Sequence, residues 1–418
     1  MKKVAPSVRM EQELRSGMVC SRDPLGEAAR RGAQLILQRM IEEEIDEFLG
    51  RKRYERNTES SPGYRNGYES KKVHMAEGSI ELAVPQLRET AAPFESVWLK
   101  AIGRRSKRLL ELIPLLYVKG MSQRDIEEAL LSALGVEGSG RSVVTDVCRS
   151  LRSDFEAWQN RDLSSEGIVY LFLDGLYLDL RPEDKGKIAV LCAYGMRWDG
   201  KKVLLHLAVG DKESAICWET FLEDMKQRGL KDPLLAVIDG ASGLRKAVGR
   251  KLPNTGVQRC QVHKMRNILN KLPQTARHAI KRRLQAAFTA LTYEQGVVKV
   301  KALLADFTEA FPSAMKCLEQ DMAECLTVLK FPYVHRINIR TTNLLERLFG
   351  EGRRRTKIIP RFTSEQSGLS LVYAVLVDAS EGWRGVRMRP DITERLQQLS
   401  MDPNSSWIDP EVAKLTAA

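Results

Sequence analysis

Two aspartates have the surroundings expected of carboxylates that bind a metal ion. Asp174 interrupts the apolar run YLFLDGLYL, Asp239 ends the apolar run LLAVID, and a glycine follows each of them. An unpaired carboxylate is costly to bury, and a divalent cation offsets that cost. Mg²⁺ favours oxygen ligands and keeps several waters, so two or three carboxylates suffice. Either aspartate alone is more commonly a strand-end or turn residue, but the two together favour a metal site, with Asp179 as a rival to Asp174.

A helix is expected to supply the third carboxylate, and Glu346 in the segment TTNLLERLFG is the best candidate. Helical spacing places four residues on one face of this helix: Asn343, Glu346, Arg347 and Gly350. A basic cluster follows, made of Arg353, Arg354, Arg355 and Lys357. Two interpretations stay open: the acid and the cluster form an ordinary salt bridge, or the cluster binds phosphate while the acid binds the metal.

A C-x-x-H pair, Cys260 and His263, allows several interpretations. It could be half of a zinc site, but no second Cys/His pair with suitable spacing follows it. His263 could instead approach the metal site or DNA from the start of a helix, beside Lys264 and Arg266. Cys260 is most simply explained as a small buried apolar residue.

The elements that must position these residues follow a mixed α/β pattern. Three β-rich runs separated by short polar turns predict an antiparallel meander over 168–180, 187–196 and 201–210. They are followed, in alternation, by a helix at 215–230, a strand that ends at 238, a helix at 242–252 and a strand at 256–260. The order β-β-β-α-β-α-β is that of the RNase H-like fold. Strand ends in such a sheet meet at one edge, where ligands bind, so Asp174 and Asp239 are expected there.

The remaining pattern divides the chain further. Residues 263–331 are helical throughout and interrupt the α/β alternation. We therefore predict an RNase H-like catalytic domain from 161–263 and 336–383, an all-helical insertion at 264–335, and a polar C-terminal tail at 384–418. Trp218, in the first crossover helix, is expected in the core.

The N-terminal part is predicted to be a mainly helical DNA-binding region, divided into 1–100 and 101–160. An amphipathic helix at 27–49 precedes a polar, basic and irregular segment at 51–75 and a short strand at 78–87. Tyrosines interleaved with cations in 51–75 suit a nucleic-acid groove or a solvated loop. Three helices over 107–152 are compatible with a helix-turn-helix, whose third helix would bring to DNA Arg141 and Thr145.

The bulk composition agrees with a polyanionic partner. The net charge of +12 and pI of 9.3 favour nucleic acid or an acidic membrane surface, with colloidal solubility as the simple alternative. No run approaches the roughly 18 apolar residues that span a bilayer, and the N-terminus lacks a signal peptide's apolar region. Seven cysteines, an odd number, fit reduced thiols. We therefore expect a cytoplasmic protein with no membrane partner.

At the level of whole segments, the chain resembles the Mutator-type bacterial insertion-sequence transposases. The segment DGASGLRKAVGRKLPNTGVQRCQVHKMRN is similar to that family's signature, with matching positions at Asp239, Gly243, Leu244, Pro253, Gln258, Cys260 and His263. TTNLLERLFGEGRRRTKIIPRF resembles the family's Glu segment, and GYRNGY, LYVKGMSQRDI and GDKESAICWETFL match further blocks. The similarity covers most of residues 25–383 in the family's order.

The resemblance implies a function. It implies a DDE triad of Asp174, Asp239 and Glu346 that binds two Mg²⁺ ions, which Mn²⁺ can replace, and that cleaves and transfers DNA strands. It also implies double-stranded DNA partners, namely terminal inverted repeats and target DNA, and a homodimer on DNA. The alternatives are an RNase H-like nuclease without strand transfer and a non-catalytic DNA-binding regulator.

Overall fold

The computed structural model describes residues 5–17, 23–55, 63–75, 77–90, 92–102, 140–178, 188–210, 214–356, 364–380 and 382–402, and single positions between 115 and 129 and between 409 and 413. Two compact units divide the chain, Met1–Ser150 and Leu151–Ala418.

The first unit combines helices with a β-hairpin. Its described helices are α1 (Pro6–Gly17), α2 (Pro24–Leu49) and α3 (Val97–Ile102), and its strands are β1 (Tyr64–Met75) and β2 (Gly78–Arg88). The Asp23 side chain accepts a hydrogen bond from the Gly26 amide and so caps α2, which ends at the left-handed Gly50. β1 and β2 pair antiparallel, and Ile41 of α2 packs on the hairpin.

The hairpin corrects the prediction for residues 51–75. Residues 64–75 form a strand, with a register shift between Arg65 and Tyr68, whereas the sequence predicted an irregular polar segment. The strand at 78–87 is confirmed. Val73 is the buried residue of β1, whose other side chains lie at least partly in solvent. Backbone pairing with β2 therefore holds a strand that has little apolar alternation of its own to reveal it.

The predicted helix-turn-helix lies mostly outside the described residues. Its third helix is present as α4 (Gly140–Gln159), which runs further than the predicted end at 152. The side chains of Arg141 and Thr145 are outside the described part, as are Asp179 and Lys357.

The second unit contains a five-stranded mixed sheet. Its strands are β3 (Ile168–Leu178), β4 (Ile188–Arg197), β5 (Lys202–Gly210), β6 (Leu235–Ile238) and β7 (Gly256–Arg259), in the order β5-β4-β3-β6-β7. The first three pair antiparallel, and β6 pairs parallel with β3 and β7. The predicted meander and the two later strands are confirmed. Crossover helices α5 (Ala215–Gln227) and α6 (Ser242–Lys251) join the parallel strands.

Helices cover both faces of this sheet, which explains why its central strand is almost entirely apolar. Leu171 and Leu173 of β3 pack in one core with residues of α5 and α6, including Trp218, which is fully buried as predicted. On the alternate face, Leu176 of β3 lies against Gly352. Asp174 belongs to the face of Leu176, because side chains two residues apart point the same way.

The described residues after β7 are mainly helical. The helices are α7 (Gln261–Leu269), α8 (Gln274–Phe288), α9 (Tyr293–Phe307), α10 (Pro312–Gln320), α11 (Met322–Leu326), α12 (Tyr333–Ile339), α13 (Asn343–Thr356), α14 (Glu365–Ser380) and α15 (Pro390–Met401), with a 3₁₀ turn at Thr327–Lys330. The helical character predicted for 263–331 is confirmed. No described helix is long and apolar enough to cross a membrane.

Two of these helices differ from the prediction. α13 extends beyond the segment TTNLLERLFG, from which a helix was predicted, and continues through Arg353, Arg354 and Arg355 to Thr356. Residues 390–401, predicted as part of a polar tail, form α15, which buries Ile392, Leu396 and Leu399. That spacing of four and three residues is an amphipathic signal that the polar composition of the tail concealed.

Candidate active site

Asp174 and Asp239 lie side by side at neighbouring strands. β3 and β6 are parallel with Leu173 opposite Ile238, so the residue that follows each is an aspartate at the same level. Asp174 Oδ1 accepts a hydrogen bond of 2.9 Å from the Gly175 amide. Asp239 Oδ1 accepts one of 2.9 Å from the Ala241 amide. The pairing of Leu173 with Ile238 thus brings Asp174 and Asp239 together, as predicted.

The turn after Asp239 requires glycine. Gly240 has φ +86, a left-handed conformation that suits glycine. A Cβ atom there would also collide with the guanidinium of Arg259. Arg259 is 5% exposed and its Nε lies 3.4 Å from Asp321 Oδ2. Arg259 therefore covers the turn that carries Asp239, a role that no feature of the sequence indicated.

The buried carboxylate of Asp174 is electrostatically unfavourable. The residue is 7% exposed. Burial, and then the negative charge of Asp239, raise the pKa of Asp174 to about 7, although His263 and the nearby Thr342 hydroxyl act in the opposite direction. A cation at this edge of the sheet would remove the penalty, which is the condition expected of paired metal-binding carboxylates.

Glu346 reaches this edge through His263. Glu346 lies in the first turn of α13, and its Oε1 is 2.9 Å from Nε2 of His263 in the first turn of α7. Two backbone hydrogen bonds fix the start of α7: the Cys260 amide donates to Ile238 O over 2.7 Å, and the Gln261 amide donates to Arg340 O over 3.0 Å. The end of β6 and Arg340, shortly before α13, are thereby both held at the start of α7, within three residues of His263.

The C-x-x-H pair faces the acids. The Cys260 thiol is buried and raises the pKa of His263, as do the carboxylates of Asp174 and Glu346. In return, His263 lowers the pKa of the Cys260 thiol against the opposing effect of burial. These directions favour a protonated His263, which can pair with Glu346 as a cation.

Within the part of the chain that the structure describes, no three His, Cys, Asp or Glu side chains form a group that could hold a metal ion. The zinc interpretation of Cys260 and His263 therefore has no third ligand among these residues. Asp174 and Asp239 still provide adjacent hard oxygen donors, which fit Mg²⁺. The Glu346 carboxylate is bound to His263 instead.

The predicted DNA-binding cations are distributed unevenly. Lys264 is 2% exposed and its ammonium lies 2.9 Å from Asp321. This corrects its prediction as a DNA contact, because a buried lysine needs such a partner and cannot reach a ligand at the surface. Arg266, two residues later on α7, is exposed.

The arginine cluster lies in the last turn of α13. Arg353 falls two helical turns after Glu346, on the same face, and is exposed, while Arg354 is exposed and paired with Glu351. Arg355 is partly buried. Cations in a last helical turn stabilise the helix, so these arginines contribute to the stability of α13.

The sequence signals missed Thr342, Arg259 and Arg340. Thr342 is fully buried beside Asp174, immediately before α13, where the run TTN is a helix-start signal that could have indicated it. Arg340 supplies a backbone carbonyl to the start of α7.

In the first unit, the tyrosines that the sequence showed among cations lie beside arginines: Arg53 lies over the rings of Tyr54 and Tyr68.

Comparisons with known proteins identify the family of the chain. The family model described as "Transposase, Mutator family" matches residues 8–385. The transposase for insertion sequence element IS406 of Burkholderia multivorans is 34% identical over 366 residues, which are 86% of this chain and 92% of that protein. The transposase for ISRM5 of Rhizobium meliloti is 31% identical over 351 residues, 83% of this chain and 86% of that protein.

A more distant relative is the transposase for IS256 in transposon Tn4001 of Staphylococcus aureus, 29% identical over 352 residues, 83% of this chain and 89% of that protein. Among solved structures, the Drosophila P element transposase strand transfer complex is 10% identical with a TM-score of 0.29, covering 78% of this chain and 91% of that chain. The match of the family model across residues 8–385, together with the identities of 34% and 31% to the IS406 and ISRM5 transposases, shows that the chain belongs to the Mutator family of transposases.

Proposed function

We propose that this transposase cleaves and joins DNA strands at an active site made of Asp174, Asp239 and Glu346. The observation that carries the proposal is the pairing of Leu173 with Ile238, which sets two aspartates beside each other on parallel strands. The link from His263 to Glu346 brings the third acid toward the same edge.

An RNase H-like fold for the core is part of the proposal. Three antiparallel strands followed by two parallel strands, with helical crossovers between them, support it. The acids lie where the central strands β3 and β6 adjoin. The domain limits proposed from the sequence are retained: 161–263 with 336–383 for the core, and 264–335 for the helical insertion.

A divalent cation fits the two aspartates, because the repulsion that raises the pKa of Asp174 is relieved by positive charge. When bound, a pair of Mg²⁺ ions, or Mn²⁺ in their place, supplies an activated water or DNA 3′-hydroxyl and stabilises the leaving oxygen. Asp174 and Asp239 would provide oxygen ligands, each oriented by one amide of the following turn. Glu346 is the third ligand that we propose.

His263 acts as a positioning residue in this scheme. Its imidazole holds the carboxylate of Glu346 at 2.9 Å and so limits the rotamers that Glu346 can adopt. Residues that orient metal ligands in this way are a common part of metal sites. Because water or a DNA hydroxyl is the nucleophile, the proposal requires no covalent link between protein and DNA.

DNA is the proposed partner throughout. We propose that the N-terminal region, which includes Arg141 and Thr145, binds terminal inverted repeats, and that two copies of the chain act on two element ends as a homodimer. Arg353, Arg354, Arg355 and Lys357 would contact the phosphate backbone near the acids, with Arg266 nearby. Since target DNA must also be reached, we place the protein in the cytoplasm.

A strand-transfer assay tests the proposal. Purified protein is mixed with Mg²⁺, a labelled terminal-repeat end and an unlabelled circular plasmid, and joined product is measured. Wild type should join the labelled 3′ end to the circle, and Asp239→Asn should lose at least about a hundredfold in rate. Cleavage without joining would favour the nuclease alternative. If Asp239→Asn were as active as wild type, the proposed active site would be wrong.

A further inference from the structure

The second unit contains a basic cavity of about 880 Å³, whose lining includes Arg347, the residue after Glu346. It is bounded by the helices α7, α8, α12 and α13 and by residues of β4 and β5. Six cationic side chains line it: Lys202, Arg266, Arg277, Lys281, Arg340 and Arg347. No aspartate or glutamate is among its lining residues. We call this feature the basic cavity.

The cations of the basic cavity have no acidic partners among the described residues. Across the described residues, none of the six takes part in an ion pair within 4.0 Å, the distance at which the other pairs are found. Arg283, on the same helix α8 as Lys281 but outside the cavity, pairs with Asp306. The six cations therefore share one cavity with neither an ion-pair partner nor an acidic lining residue among the described residues.

Uncompensated cations in a concave site attract an anion, since the surrounding protein concentrates the field there. At Lys202 the positive charge is itself destabilised, because partial burial lowers the pKa of the ammonium. The remaining polar lining is mainly neutral: Gln261, Asn270, Gln285, Asn338 and Asn343. Amides of this kind can both donate and accept hydrogen bonds, as the edges of unpaired bases require.

The basic cavity adjoins the proposed active site through shared elements. Gln261 lines it two residues before His263, and Arg347 lines it in the position next to Glu346. Asn343 and Arg347 are four residues apart on α13, so they present one face to the cavity. A chain of phosphates lying in the cavity would therefore continue toward Glu346.

We infer that the basic cavity binds the sugar–phosphate backbone of one unpaired DNA strand next to the acids. This inference rests on the proposed function for the identity of the nucleic acid. The volume falls at the upper end of the range for sites that enclose a small molecule, so the cavity holds a few nucleotides of one strand and excludes a duplex. Its aromatic residues, Tyr194 and Phe288, are buried, so phosphate contacts rather than base stacking supply the affinity.

The test is a comparison of two double variants of the full-length protein. Arg266→Gln/Lys281→Gln removes two exposed cations of the cavity. Arg282→Gln/Lys301→Gln removes two exposed cations that do not line it, and Arg282 belongs to the same helix as Lys281. Because both variants change the net charge equally, any difference in their DNA affinity reflects the position of the lost charges.

Affinity is measured by fluorescence anisotropy with oligo-dT and with a duplex of equal length, in EDTA at several NaCl concentrations. The cavity variant should bind oligo-dT about tenfold more weakly, and its salt slope should fall by about 1.4, at about 0.7 per lost phosphate contact. Duplex affinity should change less than about twofold. The control variant should match wild type with both probes.

Two results would overturn the inference: equal losses in the cavity and control variants, or a loss with duplex as large as that with oligo-dT. Omitting metal separates this test from that of the active site. Asp239→Asn should bind oligo-dT as wild type does and yet fail in strand transfer, so a failure of the cavity and a failure of the acid site produce different patterns.

Discussion

Nε2 of His263 lies 2.9 Å from Oε1 of Glu346, and this contact joins the start of α7 to the start of α13. The two helices are far apart in sequence, but the Gln261 amide donates to the Arg340 carbonyl shortly before α13, and the Cys260 amide donates to Ile238 at the end of β6. The family's C-x-x-H pair is thereby connected to the acid segment. The geometry favours a role for His263 in orienting Glu346 over its role in a zinc site.

Replacement of His263 should impair catalysis without impairing DNA binding. His263→Ala removes the partner of Glu346, and loss of a group that orients a metal ligand costs about 10–100-fold in activity or metal affinity. Strand-transfer rates should fall by that factor, and the Mg²⁺ concentration for half-maximal rate should rise. His263→Gln, which retains an N–H donor, should recover part of the loss. A fall in rate with an unchanged Mg²⁺ requirement would contradict the orienting role.

Asp174→Asn should stabilise the metal-free protein while abolishing activity. The substitution removes a buried negative charge that Asp239 repels, so unfolding in EDTA at neutral pH should require about 1–3 kcal/mol more free energy. Addition of Mg²⁺ should raise the Tm of wild type but not of the variant. Equal Mg²⁺ stabilisation of both proteins would show that Asp174 does not bind the ion.

Gly240→Ala should be strongly destabilising. The residue has φ +86, and a Cβ would meet the Arg259 guanidinium, so both strain and collision oppose alanine. We expect a loss of about 2 kcal/mol or more in the free energy of unfolding, measured by urea denaturation. Gly249→Ala is the matched control: it lies in α6 with open space around it, and it should be neutral or stabilising by up to about 1 kcal/mol. Similar effects at both positions would refute the argument.

Acid should destabilise the second unit partly through His206. This residue of β5 is 2% exposed, and burial, followed by the charges of Arg228 and Arg161, lowers its pKa to about 3. Its Nε2 is 3.2 Å from Asp224, but that carboxylate is already paired with Arg228 at 2.8 Å, so its charge does little to favour a protonated His206.

Because the fold lowers the pKa of His206, acid favours the unfolded chain. The unfolded chain takes up a proton near pH 6.5, whereas the folded protein resists it down to about pH 3. Stability is therefore complete above pH 6.5 and decreases as the pH falls toward 3, by about 2 kcal/mol between pH 7 and pH 5. In parallel urea titrations, the free energy of unfolding of His206→Gln should therefore fall by about 2 kcal/mol less than that of wild type between pH 7 and pH 5. Identical pH profiles would contradict the assignment.

Much of the sheet could be predicted because its strands are short apolar runs bounded by turn residues. Asp174 and Asp239 were identifiable as acids out of place in such runs, and parallel pairing then made them neighbours. β1 was missed because pairing with β2, rather than its own pattern, stabilises it. Lys264 was misassigned because its partner, Asp321, lies on a distant helical segment, and no local signal connects the two.

The basic cavity was also beyond sequence reasoning. Of its six cations, Arg266 stood out beside the C-x-x-H pair, whereas Lys202 and Arg277 are unremarkable in sequence. They meet only because the helices after β7 fold back against residues of β4 and β5. Whether a lysine or arginine has an acidic partner is a tertiary property, as the contrast between Lys281 and Arg283 on one helix illustrates.

Counting the ions bound at the active site tests the central claim most directly. Electron paramagnetic resonance should be used to titrate Mn²⁺ into the protein bound to terminal-repeat DNA, with wild type compared with Asp174→Asn, Asp239→Asn and Glu346→Gln. The account predicts a pair of tightly bound ions in wild type and the loss of at least one in each variant. Four proteins that bind the same number of ions with the same affinity would contradict it.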